Sequence, residues 1–399
     1  MNVLLTVETR FDRTPDGSVW TCDLSDYDFL TKYRDVFDEV RVLARIRSVL
    51  APSPGARRAD GRDVTFQGIP HYVGPLEFAF RYPRVRAIVH DALRPEQAIL
   101  LRVPSAIASL LAPRLQRARR PHGLIIVGDP YDVFSPGAVR ASLRPLFRWW
   151  FAHSLRRQCR GATACRYVTE HTLQRRYPPG PQAFAIHGSD IDLPPEAFAE
   201  GPRAFASPLR SPGIATLGSL SQMYKGTDVL IDAVSTMRTR GVDAHLTIVG
   251  DGKHRPELEL RAKRLGMERC VRFLGQLPPG EPIRKELDAA DLFVLPSRTE
   301  GLPRAMIEAM ARALPCVGST AGGIPELLHG DDMVAPGDAP GLAERMREVL
   351  ASAARLSAMS ARNLAKAREF RADVLQTRRR AFHEYLRDRT AEWLKAVRS

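Results

Sequence analysis

The sequence predicts an α/β protein built as two tandem doubly wound domains, and three observations carry that expectation. Its 399 residues are more than one hydrophobic core normally organises. Short apolar runs alternate with stretches of helical period in both halves, the βαβα order of a parallel sheet covered by helices. Between Leu193 and Pro212 that order lapses into LPPEAFAEGPRAFASPLRSP, whose prolines and weak apolar period mark an interdomain linker. The expected division is a first domain over 1–195, a linker over 196–212, a second domain over 213–370 and a helical segment over 371–399.

Taken in order, the strand candidates of the first half are VLLTV (3–7), VRVLARI (40–46), AILLRV (98–103), LIIVG (124–128), TACRYV (163–168) and FAIHG (184–188). Helical period follows over 104–119 and 169–176. The alternation restarts more cleanly after the linker: GIATLG, a helix over 226–240, AHLTIVG, a helix over 254–265, VRFLG, a helix over 282–290, DLFVLPS, a helix from 303, then PCVGS. Beyond Pro336 the period is helical, ending in a charged stretch from Arg371 to Arg398 whose apolar side is Phe382, Tyr385, Leu386, Trp393 and Leu394. Such a face must pack, and the expectation is that it returns to the first domain. Two parallel sheets in tandem put the C-terminal ends of their strands on either side of a cleft, where ligands bind in such folds.

Composition narrows the function classes. Hydrophobic residues at 44% and charged residues at 26% exclude wholesale disorder. The 59 Lys and Arg against 45 Asp and Glu leave a net charge of +14, carried by 52 Arg and only 7 Lys. Such a charge favours phosphate-rich or anionic partners, although its even spread along the chain is equally what Arg-rich coding produces. No stretch approaches 18 uninterrupted apolar residues, and the apolar run in MNVLLTVETRFDR is too short for a signal-peptide core. Cys22, Cys159, Cys165, Cys270 and Cys316 are odd in number, scattered and without a CxxC pair, which argues against a disulfide framework and a structural zinc site. A reducing cytoplasm is the expected compartment.

The most informative stretch is PSRTEGLPRAMIEAMARALPCVGSTAGGIPEL, from Pro296 to Leu327. A strand ends at Pro296, a polar turn carries Glu300 and Gly301, and Pro303 sits at the start of a helix that presents Glu308. Backbone N–H groups from Gly301 to Arg304 are expected to be unpaired there and to face, with the positive end of the helix dipole, whatever anion occupies the cleft. Eight residues of helix are about 12 Å of rise, more than the roughly 5–9.5 Å that separates the two carboxyl groups of a hydrolytic glycosidase. Glu300 and Glu308 therefore suit two contacts along one elongated ligand. Taken alone, the pair is read more economically as a helix cap and a solvated surface residue.

The region is not alone. ATLGSLSQMYKG (215–226), TIVGDG (247–252), VRFLG (271–275), DLFVLPSRTEGLPRAMIEAMA (291–311) and GGIPEL (322–327) together resemble the retaining, nucleotide-sugar-dependent glycosyltransferases of family 4, within the glycosyl transferases group 1. Their GT-B fold is two Rossmann-like domains facing across a cleft, the first binding the acceptor and the second the donor. The resemblance is strong over 210–345 and faint elsewhere. It implies that Glu308 binds the donor ribose, consistent with a carboxylate accepting two hydrogen bonds. Glu300 would contact the donor sugar, and the backbone of Gly301, Leu302, Pro303 and Arg304 would hold the sugar and diphosphate. Lys225 would pair with the diphosphate and stabilise the charge that grows as it leaves. Gly218 would let the chain pass close to the phosphates, Gly250 and Gly252 would shape the adjoining loop, and Phe273 to Gly275 would seat the base. Two positions depart from the family: Ser219 stands where a second phosphate cation is common, leaving that role to Lys225 or Arg304, and Ala313 stands where Gly is usual.

In the first half, Asp16 and Gly17 of TPDGSVW are candidates for a glycine-bearing phosphate loop, with an ordinary β-turn an equal alternative. Asp129, after the strand LIIVG, is the candidate near the reacting carbon, where relatives carry a histidine. FAIHGSDID keeps Gly188 and Asp190 of a family motif, with His187 in place of Asn. Asp26-Tyr-Asp28 and Asp190-Ile-Asp192 match a metal-binding D-x-D pattern that GT-B enzymes generally do not need, and Gly250-Asp-Gly252 lacks the third glycine of a dinucleotide fingerprint. No metal or other cofactor is expected. RASLRPLFRWWFAHSLRRQCR (140–160) interleaves Arg with Phe147, Trp149, Trp150 and Phe151, as a helix lying on anionic lipid does and as a helix with its aromatics in the core also does.

The resemblance thus implies transfer of a sugar from a nucleoside-diphosphate sugar to an acceptor hydroxyl, in cell-surface polysaccharide or lipid-linked glycan assembly, on the cytoplasmic side and with peripheral attachment to the membrane left open. A transferase acting on a small-molecule natural product and a sugar-nucleotide epimerase of the same fold are alternatives. A nucleic-acid-binding protein would suit a pI near 10, but no recognition motif for it is present.

Overall fold

The computed structural model describes residues 1–23, 25–133, 144–191 and 193–398. The chain divides into two compact units, one formed by Met1–Gly128, Trp150–Gly188 and Thr377–Ser399, the other by Asp129–Trp149 and Ser189–Gln376.

The first unit holds β1 (Asn2–Arg13), β2 (Val19–Thr21), β3 (Val40–Ser48), β4 (Arg57–Arg58), β5 (Val64–Pro70), β6 (Gln97–Val103), β7 (Gly123–Ile126), β8 (Ala164–Tyr167) and β9 (Phe184–His187). Seven of them run parallel in the order β5-β3-β1-β6-β7-β8-β9, with β2 antiparallel on the end of β1 and β4 on β2. The chain builds outward from β1 in one direction and then returns to β6 to build in the other, so the strand order reverses between β1 and β6. β1 outruns the five residues of its apolar run. It pairs with β6 only through Thr6, its register on β3 shifts between Thr6 and Arg10, and it continues to Arg13. At the shift, Glu8 turns its carboxylate onto the N-terminal turn of the helix Ala106–Arg117, accepting from Ser105 Oγ and Ala106 N, both at 2.7 Å.

Asp16 and Gly17 are the tip of the β1–β2 hairpin, the ordinary turn that the sequence offered beside a phosphate loop. Gly17 takes φ 86°, and the Asp16 carboxylate closes the turn on the hydroxyls of Thr14 and Ser18 and on Ser18 N, which hold its pKa down to about 2.

The second unit holds β10 (Gly213–Leu217), β11 (His245–Val249), β12 (Val271–Gly275), β13 (Leu292–Leu295), β14 (Cys316–Ser319) and β15 (Met333–Val334), all parallel in the order β12-β11-β10-β13-β14-β15. Both faces of this sheet are covered, as its near-continuous apolar strands require. Ile214, Leu246, Ile248, Leu292 and Val294 pack with the helices Thr227–Thr239 and Ala339–Leu350. Ala215, Leu217, Val249, Phe293 and Leu295 pack with the helix Arg304–Ala311. The proline-rich segment is fixed to this unit: Arg203 donates to the carbonyls of Ala290 (2.6 Å), Leu287 (3.0 Å) and Arg312 (3.1 Å), and Phe205 and Leu209 lie against its core.

The last helix, Ala372–Arg398, passes from one unit to the other as the sequence suggests. Leu375 is buried in the core of the second unit, and Phe382 and Leu386 in that of the first. A methyl group on Gly123 of β7 would stand 3.0 Å from Leu386 and 3.1 Å from Phe382, so the bare glycine lets this helix lie close on the sheet.

Candidate active site

The carboxyl ends of β10, β11 and β12 carry three interlocked loops. Gly218 N donates to Val249 O at 2.9 Å, and Gly250 N to Gly275 O at 2.8 Å. Gly250 has φ 141°, and a Cβ there would stand 1.9 Å from Gly218 O, so no other residue fits. Phe273 packs its ring on the core while its carbonyl accepts from Arg255, leaving backbone at the position expected for the base. Ser219 is exposed and its hydroxyl accepts from Ser221 N at 3.2 Å.

Lys225 and Glu300, 75 residues apart in sequence, form the centre of the site. Lys225 Nζ donates to Glu300 Oε1 at 2.6 Å, and Ser297 Oγ donates to the same oxygen at 2.7 Å. Both charges are largely buried, where an ion pair must be well hydrogen-bonded to offset lost hydration. Arg298, which the sequence reading did not single out, holds the two loops together. It makes a two-pronged ion pair with Asp228 at 2.7 and 2.8 Å, donates from its side chain to Met223 O at 2.7 Å, and donates from its backbone to Tyr224 O at 2.6 Å. Those bonds clasp the turn Met223–Lys225 that carries the lysine. Behind Glu300, Gly322 has φ 53°, a Cβ there would stand 2.0 Å from Glu300 O, and Gly323 N donates to Gly301 O at 2.7 Å.

The helix Arg304–Ala311 begins one residue later than expected, with Pro303 as its N-cap and no side chain capping it. Among the described residues, the amides of Gly301, Leu302 and Arg304 donate to no acceptor, and the Arg304 guanidinium has no ion pair. Glu308 lies on the same helix, and its carboxylate has neither a hydrogen bond nor an ion pair among the described residues. Burial raises its pKa, and Arg304 opposes that rise. A half-buried acid with free acceptor oxygens is suited to receive two hydroxyl donors. At the helix end, Ala313 takes the left-handed φ of 55° that a glycine would adopt without strain.

Asp129 is buried after β7, with Oδ1 accepting from Tyr131 N at 2.8 Å. Of the amphipathic stretch read over 140–160, residues 140–143 lie outside the described ones, and Asp192 does as well. The helix Arg144–Gly161 leaves Trp149 62% and Trp150 50% exposed while burying Ala152, Leu155 and Cys159.

Comparison with known proteins gives this arrangement its class. Residues 211–352 match the family model described as Glycosyl transferases group 1. The chain is 24% identical over 308 residues to Protein CapJ of Staphylococcus aureus, covering 77% of this chain and 76% of that one. It is 37% identical over 174 residues to the amylovoran biosynthesis glycosyltransferase AmsK of Erwinia amylovora, an alignment covering 41% of this chain and 42% of AmsK. The crystal structure of Anabaena Alr3699/HepE in complex with UDP and glucose superposes with a TM-score of 0.65 at 18% identity, over 96% of this chain and 98% of that one. The fold is thus that of the GT-B enzymes. The protein is a glycosyltransferase, and its second unit carries the group 1 module.

Proposed function

We propose that the protein is a retaining glycosyltransferase that moves a sugar from a nucleoside-diphosphate sugar to an acceptor hydroxyl, in the assembly of cell-surface polysaccharide or a lipid-linked glycan. The observation that carries this reading is the clasped Lys225–Glu300 pair beside the unpaired amides of Gly301, Leu302 and Arg304 and the unpartnered carboxylate of Glu308. Glu308 receives the ribose hydroxyls, and the backbone of 273–275 takes the base. Gly218 and Ser219 border the diphosphate, and the amides of Gly301, Leu302 and Arg304 bind it as a helix N-terminus binds an anion. Glu300 contacts the sugar. Lys225 keeps one N–H on Glu300 and turns the others to the diphosphate, while Arg304 supplies the second cation that Ser219 does not.

In the reaction the bond from the anomeric carbon to the diphosphate breaks with its electron pair on the phosphate oxygen. The acceptor oxygen bonds to the same face of that carbon, and its proton passes to the leaving phosphate. Lys225 and the amides stabilise the charge as it develops. This reading meets the diphosphate's charge with protein groups and calls for no metal, and it sets Asp129 near the reacting carbon. The first domain binds the acceptor. A role in glycan assembly accords with the name of AmsK, an amylovoran biosynthesis glycosyltransferase, and the half-exposed Trp149 and Trp150 accord with peripheral attachment to an anionic membrane. No described helix is long and apolar enough to cross one.

The test is slow donor hydrolysis followed by NMR. The α-anomer of the sugar should appear first from an α-linked donor, and Lys225→Ala should lower turnover about 100-fold or more with the fold intact, although loss of the buried ion pair should lower its melting temperature. The β-anomer first, an epimerised donor, or near-normal turnover in Lys225→Ala would each contradict the proposal.

A further inference from the structure

The helix Gly74–Asp91 of the first unit is apolar on two opposite faces. Phe78, Tyr82, Val85 and Val89 recur at four, three and four residues, and Val85 and Val89 are buried. Leu76, Phe80, Pro83 and Ala87 recur at the same spacing on the opposite face, where all are exposed, Leu76 by 77% and Phe80 by 87%. A helix of a soluble protein normally turns charge outward. Here charge flanks the outward stripe instead: Arg81, Arg84 and Arg86 are exposed and have no ion pair among the described residues. The one acidic side chain of the first turn, Glu77, accepts from Val73 N at 2.9 Å.

The chain enters this helix from His71, whose pKa is held down by burial first and then by Arg47, Arg10 and Arg45. Arg10 is exposed and has no ion pair among the described residues. The helix is about 27 Å long and is not apolar enough to span a bilayer. A second copy of the chain would bring like-charged arginines onto one another. An apolar stripe rimmed with unpaired arginines matches an anionic lipid surface.

We propose that the outward face of the helix Gly74–Asp91 docks on an anionic membrane, with Leu76 and Phe80 entering the acyl boundary and Arg81, Arg84 and Arg86 meeting lipid phosphates. The contact extends the membrane reading made for the helix Arg144–Gly161 and is separate from donor binding, whose residues lie in the other unit. It would hold the first unit against the surface that presents a lipid-linked acceptor.

Flotation of the whole protein with phosphatidylglycerol–phosphatidylcholine vesicles, compared with phosphatidylcholine alone, tests it. The wild type should float with the anionic vesicles only, and less as salt rises. Leu76→Ser with Phe80→Ser should lower partitioning at least tenfold, and Arg81→Gln with Arg84→Gln and Arg86→Gln should weaken it and flatten its salt dependence. Melting temperatures and nucleotide-induced shifts should stay unchanged in both, so that failure here is separable from failure of the donor site. Wild type that does not float, equal flotation with neutral vesicles, or full flotation of the Leu76/Phe80 variant would overturn the proposal. In the last case, loss on Trp149→Ala with Trp150→Ala would assign the membrane contact to the helix Arg144–Gly161 alone. A concentration-dependent dimer abolished by the Leu76/Phe80 change would overturn it in favour of a second copy.

Discussion

Glu308 shows how much of this site turns on the state of a single carboxyl group. Burial raises its pKa because the charged form loses hydration and gains no hydrogen bond. A folded-state pKa above the unfolded value means that the folded chain holds the proton more tightly. The unliganded protein therefore loses stability as pH rises from the ordinary carboxylate range through the raised value. Two ribose hydroxyls donate most strongly to the ionised acid, whose two oxygens both accept, so nucleotide affinity should move the opposite way and rise over that same window. Glu308→Gln removes both effects: the variant should melt at or above the wild-type temperature at neutral pH without ligand, and its weak nucleotide affinity should be flat with pH. Calorimetric titration across the window checks this, and a wild-type affinity that does not rise with pH would separate Glu308 from the ribose.

At the scale of the elements, the site is a problem of holding loops from distant parts of the chain in register. Arg298 does this through four hydrogen bonds to Asp228, Met223 and Tyr224. Charged-group hydrogen bonds contribute about 1.5–3 kcal/mol each when one partner is deleted from a protected site, although these overlap and will not add. Arg298→Ala should cost about 2–3 kcal/mol in stability and lower kcat more than it raises KM, since it lets the turn bearing Lys225 drift. Arg298→Lys should restore part of the stability and little of kcat, because an ammonium cannot make the two-pronged contact. Measured rates that follow stability alone would make Arg298 purely structural.

This residue also marks where reading the sequence stops. Strands β10 to β14 and their helices were legible because buried parallel strands are apolar without interruption and end in glycine or proline. Lys225, Glu300 and Glu308 were legible through resemblance to a family. The clasp was not, since the partners of Arg298 lie 70 and more residues away and an Arg two places before Glu300 looks like any surface arginine. The bulge in β1 was equally hidden. There Glu8 reaches the turn at Ser105, a contact 97 residues away that the run TVETRFDR does not announce. The outward stripe of the helix Gly74–Asp91 escaped for the opposite reason: two apolar faces cancel the one-sided period by which a helix is recognised.

For the whole molecule, the two units share a doubly wound plan but not a sequence signal. In the second, the order β12-β11-β10-β13-β14-β15 sets every donor-site loop at the carboxyl edge of one sheet. In the first, the strand order reverses beside β1 and β6, where the Glu8 carboxylate occupies the helix N-terminus that a phosphate would otherwise take. The group 1 pattern is accordingly concentrated in one unit, and the central claim is that this unit binds a nucleoside diphosphate through Glu308. The most direct measurement is a thermal-shift panel with UDP, GDP, ADP and dTDP on wild type and Glu308→Ala. A ligand at 100 times its dissociation constant should add about 2.7 kcal/mol of stability. The account predicts that one diphosphate raises the melting temperature of the wild type and that Glu308→Ala abolishes the rise. No rise with any of the four, or an equal rise in the variant, would contradict it.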